Sequence, residues 1–117
     1  MPIIGDGERV GAVEGLFADR WVGPNLRLTI QPHRPVGCVT VHGWFHGDIP
    51  TDGELSLRIG DQTVVHKMAP GMFVLSVDLT EATLEAIPLV MDATDWMMTE
   101  GSDGRKLVFV LQRIVLE

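Results

Sequence analysis

Three tryptophans are the residues of this sequence best suited to contact a ligand. Trp21 and Trp96 stand beside carboxylates, in "ADRWVGP" and "ATDWMMT", and the chain contains no tyrosine. An indole ring stacks on the apolar CH face of a sugar ring, and a nearby carboxylate accepts hydrogen bonds from the sugar hydroxyls. We therefore take Trp96 with Asp95, and Trp21 with Asp19, as candidate saccharide-binding pairs in predicted loops.

Trp44 is the third ligand candidate and belongs to a predicted strand. One face of "CVTVHGWFHG" is apolar and carries Val39, Val41 and Phe45. The other face carries Thr40, His42, Trp44 and His46. The second face is either solvent-exposed or a shallow ligand surface. Packing is the alternative for every tryptophan, because an indole also closes the end of a sandwich core. We favour packing for Trp21 and ligand contact for Trp96.

Other kinds of site have weak support in the sequence. Ser102 in "EGSDG" lacks the G-x-S-x-G spacing, and it does not join a strand to a helix. "GDGERVG" lacks the glycine spacing of a dinucleotide site. His42 and His46 lie roughly 13 Å apart along one strand, too far to share a zinc ion. We therefore predict no catalytic residue, no cofactor and no metal site.

The acidic segment from Asp92 to Asp103 has two interpretations. It also contains Asp95 and Glu100, and calcium prefers oxygen ligands. The segment lacks the regular ligand spacing of a calcium loop, so calcium binding stays open. Asp103 and Arg105 flank a glycine, and we predict that they form a local ion pair. Exposed, such a pair contributes only about 0–1 kcal/mol, so its role is to shape the loop.

Charge and composition disfavour several classes of partner. The net charge is −7, and the nine Lys and Arg residues are scattered singly, whereas nucleic acid and anionic lipid require a basic face. No apolar run approaches the ~20 residues of a membrane span. The N-terminus lacks the pattern of a signal peptide, and Cys38, the single cysteine, excludes an intrachain disulfide. We expect a cytoplasmic protein that binds neither nucleic acid nor membrane.

Hydrophobic alternation predicts an all-β fold. In "NLRLTIQ" every second residue is apolar, and "ELSLRIGDQTVVHKM" predicts a hairpin that turns at Gly60-Asp61. Only "TEATLEAIP" looks helical, for one or two turns, and "MMTEGSDGRK" is predicted to be a long loop. About eight short strands in one domain, residues 1–117, predict an antiparallel β-sandwich of jelly-roll type.

Two motifs near opposite ends of the chain resemble those of a known family. "GLFADRWVGPNLRLTI" contains Gly-φ-x-x-Asp-x-Trp-φ-Gly-Pro, where φ is apolar, and "GSDGRKLVFVLQRIVLE" contains Gly-x-Asp-x-Arg-x-Leu. The matching residues are Gly15, Asp19, Trp21, Gly23 and Pro24 in the first motif, and Gly101, Asp103, Arg105 and Leu107 in the second. Together they resemble a β-sandwich accessory domain found beside bacterial glycosyltransferases.

The resemblance implies a context of bacterial glycan assembly and no catalytic residues. It implies structural roles for the turn residues Gly23 and Pro24, for a capping Trp21, and for the Asp103–Arg105 pair. The chain departs from the family pattern at "DATDWMMTEG", where the family has an aromatic or Thr-Phe-x-Pro segment. We predict a non-catalytic accessory module that recognises a saccharide or docks onto a glycosyltransferase. The alternative is a protein-interaction or homodimerisation module without saccharide affinity.

Overall fold

The alternating segments form ten strands, all paired antiparallel, in a computed structural model that describes residues 4–98 and 104–117. The strands are β1 (Gly7–Leu16), β2 (Trp21–Pro32), β3 (Val36–Phe45), β4 (Glu54–Ile59), β5 (Gln62–Lys67), β6 (Gly71–Thr83), β7 (Ile87–Ala93), β8 (Met97–Met98), β9 (Lys106–Leu107) and β10 (Phe109–Leu116). The described residues contain no helix, and so no helix that spans a bilayer.

Eight strands form one nearly closed sheet. Its order is β5-β4-β7-β2-β10-β3-β6, and β1 pairs with β2 off this path. The two ends of the path meet where His66 of β5 stacks on Phe73 of β6, with ring centroids 5.7 Å apart. β8 and β9, each two residues long, pair separately with each other. The predicted all-β, antiparallel β-sandwich is therefore confirmed, with ten strands in the described residues instead of about eight.

Period-two alternation determines which side chains enter the core. The inward positions of β2, β3, β4, β6, β7 and β10 are buried, and they include Leu26, Leu28, Ile30, Val39, Val41, Phe45, Leu55, Leu57, Phe73, Leu75, Leu89, Met91, Phe109 and Leu111. Among the described residues, no polar or charged side chain is buried. The core is thus stabilised by apolar burial, and polar side chains occupy the surface.

A glycine in β3 makes room for an aromatic cluster in this core. Phe45 and Phe73 lie 4.6 Å apart between ring centroids, and Phe109 lies 5.1 Å from Phe73. A Cβ atom on Gly43 would overlap the ring of Phe73 and lie 2.9 Å from the ring of Phe109. Only a residue without a side chain lets the two rings approach the β3 backbone this closely.

We predict that Gly43→Ala lowers the free energy of unfolding by about 1–3 kcal/mol, because the added methyl group overpacks the cluster. Urea denaturation followed by circular dichroism measures the change. Gly47→Ala is the matched control, since a Cβ atom there meets nothing within 4 Å. Equal midpoints for the two variants would contradict the close packing around Gly43.

The prediction that Trp21 lies in a loop and that Gly23 and Pro24 are turn residues is wrong, because β2 already begins at Trp21 and includes all three. Trp21 and Val22 pair with β10, and the pairing with β7 starts at Asn25. Pro24 lies between these two stretches and has no register partner in either ladder, nor in the ladder with β1. A proline without a backbone N–H is tolerated in a strand at such a position.

The predicted helix in "TEATLEAIP" is wrong. β6 continues to Thr83, β7 begins at Ile87, and Pro88 lies opposite Thr29 of β2. Leu84, in the connection, is 52% exposed. A one- or two-turn helix is stable only when packing buries an apolar face, and this connection offers no such face.

The segment predicted as a long loop contains the β8–β9 hairpin, in which Met97 lies opposite Leu107. After β9 the chain changes partners at Val108 and enters β10, which pairs with β2 and β3. Leu107, Val108 and Phe109 are all buried. This change of partner explains why the last strand is apolar on both faces at its start.

Candidate ligand-binding face

Trp21 and Trp44 lie on the same outer surface of the sheet, in one row across four strands. Trp21 is opposite Val110, Val110 is opposite Trp44, and Trp44 is opposite Met72. Directly opposed residues of antiparallel strands project from the same face. Neighbouring strands are ~4.8 Å apart, so the Cα atoms of the two tryptophans are separated by about 10 Å. We call these four residues the tryptophan row.

Two further rows of side chains continue this surface away from the tryptophans. Arg113 of β10 is opposite His42, which is opposite Val74. The next row consists of Val115, Thr40 and Ser76. These ten residues are called the outer face below: Trp21, Val110, Trp44, Met72, Arg113, His42, Val74, Val115, Thr40 and Ser76.

The turn before β2 holds Trp21 in place. The Trp21 backbone N–H donates to Asp19 Oδ1 at 3.4 Å, and its carbonyl accepts from the Phe17 N–H at 2.9 Å. Both terminal nitrogens of Arg105 donate to Asp19 Oδ2 at 3.2 Å. The same guanidinium lies 4.8 Å from the centroid of the Phe17 ring. Asp19 therefore positions Trp21 and connects the turn to the segment before β9.

His46 supports the ring of Trp44 from the side. The two ring centroids are 5.6 Å apart and the planes are nearly perpendicular, at 82°. The Asp48 backbone N–H donates to His46 Nδ1 at 3.1 Å. The same Nδ1 lies 3.6 Å from Oδ2 of the Asp48 carboxylate. His46 thus brings polar ring atoms to the neighbourhood of Trp44.

His42 is neutral at neutral pH. Its pKa is lowered from the ordinary value of 6.5, first by desolvation on burial and second by the positive charge of Arg113. A histidine with a lowered pKa loses its proton below neutrality. Arg113 is therefore the single charged side chain among the ten residues of the outer face.

We predict that Arg113→Gln raises the pKa of His42 without restoring it to 6.5, because desolvation remains. Since the folded-state pKa lies below the unfolded one, the unfolded chain binds the proton first. Stability contributed by neutral His42 is present above 6.5 and is lost as the pH falls through the folded-state pKa. In Arg113→Gln the folded-state pKa lies closer to 6.5, so the pH interval over which this stability is lost should be shorter than in the wild type.

An NMR titration of the imidazole resonances measures the pKa of His42 directly. Arg58→Gln is the control, because Arg58 belongs to β4 and pairs with β5 and β7. A His42 pKa that is the same in the wild type and in Arg113→Gln would show that the two side chains do not interact.

Trp96 has a different environment from the other two tryptophans. It lies in a loop, as the sequence predicts, and is half-buried against the core. The Lys106 ammonium lies 4.7 Å from its ring centroid, which is a cation–π contact. Asp95 is half-buried, and its Cβ atom would be 2.8 Å from a Cβ on Gly53. The Trp96 ring therefore contacts both the core and Lys106.

The two sequence motifs meet in space. Arg105 of the closing motif forms an ion pair with Asp19 of the opening motif. Gly23 is buried, and a Cβ atom there would lie 3.3 Å from the carbonyl oxygen of Lys106. Asp103 lies outside the described residues, so its predicted pairing with Arg105 stays a prediction.

Only part of the acidic segment from Asp92 to Asp103 lies within the described residues. Asp92 forms an ion pair with Arg27 at 3.0 Å, while Glu100 and Asp103 lie outside the described residues. Within residues 4–98 and 104–117, no group of three or more His, Cys, Asp or Glu side chains is arranged to hold a metal ion. The described carboxylates therefore give calcium binding no support.

Two shallow depressions lined by residues that the structure describes lie elsewhere on the surface. One, of about 240 Å³, is lined by Glu54, Ser56, Val65, Asp92, Ala93 and Thr94. The other, of about 180 Å³, lies between the β4–β5 turn and the β6–β7 connection. Neither is lined by a tryptophan, whereas the outer face brings two tryptophans together.

Comparison with known proteins leaves the function open. No protein-family model matches the chain, and no curated protein matches it. Among solved structures, TmCBM61, a carbohydrate-binding module solved in complex with β-1,4-galactotriose, aligns with a TM-score of 0.45 and 13% sequence identity. The alignment covers 83% of this chain and 68% of that one. A likeness at this level does not indicate a shared ligand.

Proposed function

We propose that this protein is a non-catalytic binding module that recognises a saccharide on the outer face, with Trp21 and Trp44 as the stacking residues. The tryptophan row carries the proposal, because two half-buried indoles project from one sheet surface on residues whose Cα atoms are about 10 Å apart. Asp19 fixes the backbone of Trp21, and the His46 ring packs edge-on against the Trp44 ring. A side chain that is already packed loses little conformational entropy when a ligand stacks on it.

The spacing of the two tryptophans favours a linear oligosaccharide. Their Cα atoms are about 10 Å apart, which exceeds the width of one pyranose ring, so we expect each indole to stack on a different sugar. Polar side chains near the row, among them His42 and His46, supply donors and acceptors for sugar hydroxyls. Trp96 does not belong to the proposed site, because its ring already contacts Lys106.

A role beside a bacterial glycosyltransferase is a further part of the proposal and depends on the two sequence motifs. Their meeting at the Asp19–Arg105 ion pair supports the view that they act as one structural unit. In such a setting the module would hold the glycan while a partner enzyme extends it.

Protein docking is the second candidate function, and exposed apolar side chains on β6 favour it. Met72 is 74% exposed and Val74 is 54% exposed, and β6 is an end strand of the sheet path. Methionine adapts readily to different partner surfaces. A stable homodimer through this face would bury roughly 1,000 Å² or more.

We predict that Trp21→Ala and Trp44→Ala each weaken oligosaccharide binding at least tenfold, because each removes one stacking surface. Isothermal titration calorimetry with neutral and acidic tetrasaccharides measures the affinity, and circular dichroism verifies the fold. Trp96→Phe is the matched control, since it removes an indole while keeping an aromatic ring beside Lys106.

Loss of binding in Trp96→Phe alone would place the site at the β7–β8 loop and contradict the proposal. A folded protein that binds no saccharide would also contradict it. A dimer that sedimentation detects and Met72→Lys dissociates, in a protein without saccharide affinity, would assign the face to protein docking.

A further inference from the structure

Arg113 places an unpaired cation next to the tryptophan row. It is exposed on β10 opposite His42, which is two residues from Trp44 on β3. Two residues of strand span about 7 Å, a distance that an arginine side chain can reach across. Arg113 forms no hydrogen bond or ion pair through its side chain with any residue of the described ranges.

The charge of the outer face is opposite to that of the protein. The chain carries 16 acidic residues and a net charge of −7, yet the ten residues of the outer face include no aspartate or glutamate. The first acidic residue along β6 is Asp78, opposite Cys38 and beyond the third row. An anion can therefore approach Arg113 without facing a carboxylate from these rows.

We infer that the saccharide recognised by the outer face is acidic, and that Arg113 pairs with a carboxylate on one of its sugar rings. This inference rests on the proposed function, since Trp21 and Trp44 supply the stacking. A guanidinium matches the two oxygens of a carboxylate in a bidentate pair. His42, neutral and adjacent, adds a hydrogen bond without adding charge.

The outer face carries too few cations to bind nucleic acid, but enough to bind an acidic saccharide. A nucleic acid carries a phosphate at every nucleotide and needs a track of cations to displace its counterions. The outer face offers one arginine, within a protein of net charge −7. A single guanidinium suits a ligand in which one carboxylate is read specifically and the rest of the contact is stacking.

Matched pairs of tetrasaccharides test this inference. The probes are tetrasaccharides of galacturonate, mannuronate and glucuronate, each compared with its carboxyl methyl ester and titrated by calorimetry at low salt. We expect at least one free acid to bind the wild type at least tenfold more tightly than its ester. Arg113→Gln should abolish this difference, because it weakens binding of the free acid at least tenfold more than binding of the ester.

Two further variants exclude non-specific effects of charge. Arg113→Lys should retain part of the preference, because it keeps the charge and loses the bidentate geometry. Arg58→Gln, which removes an exposed arginine from β4, should leave the preference intact.

The outcomes distinguish this inference from the proposed function. Equal affinity of the wild type for acid and ester, or an equal loss for both in Arg113→Gln, would overturn the role of Arg113 and leave the saccharide site standing. A folded protein that binds no acid, ester or neutral tetrasaccharide would overturn both.

Discussion

The pairing of Trp21 and Val22 with Phe109 and Val110 is the contact on which the rest of the structure depends. These two register pairs connect β2 to β10, and they link the part of the sheet around β7 to the part around β3. The inward members, Val22 and Phe109, are fully buried. The Leu111 N–H, which donates to the carbonyl of Arg20 at 2.9 Å, reinforces the junction. The fold and the candidate site therefore share one short stretch of backbone pairing.

The outward members of the same pairs build the site. Because Trp21 and Val110 are directly opposed, the burial of their inward neighbours forces them to the outer surface. β3 then adds Trp44 on the far side of Val110. Core packing at this junction thus determines where the two indoles lie, and the turn around Asp19 adjusts only the first of them.

Local alternation made the core predictable, because whether a strand residue points inward depends only on its neighbours in sequence. Leu26, Leu28 and Ile30 are buried as their spacing predicts. The loop position of Trp21 and the short helix were predicted wrongly, since both depend on pairing with distant strands. β2 extends back to Trp21 because β10, near the end of the sequence, pairs with it.

The candidate site was harder to predict from the sequence than the core, because it too depends on which strands pair. Adjacent strand residues point to opposite faces, so a binding surface on a sheet is made of cross-strand neighbours rather than sequence neighbours. The carboxylate next to Trp21 bonds to its backbone and to Arg105. The side chains that flank Trp44 come from β10 and β6. Only the strand order reveals these neighbours.

The central claim is that Trp21 and Trp44 form one ligand surface and that Trp96 does not belong to it. The most direct test follows the three indole N–H resonances by NMR while a tetrasaccharide is added, with assignments from single Trp→Phe variants. We expect the Trp21 and Trp44 resonances to shift together with one dissociation constant while the Trp96 resonance stays in place. A shift of the Trp96 resonance alone, or no shift of any indole, would contradict it.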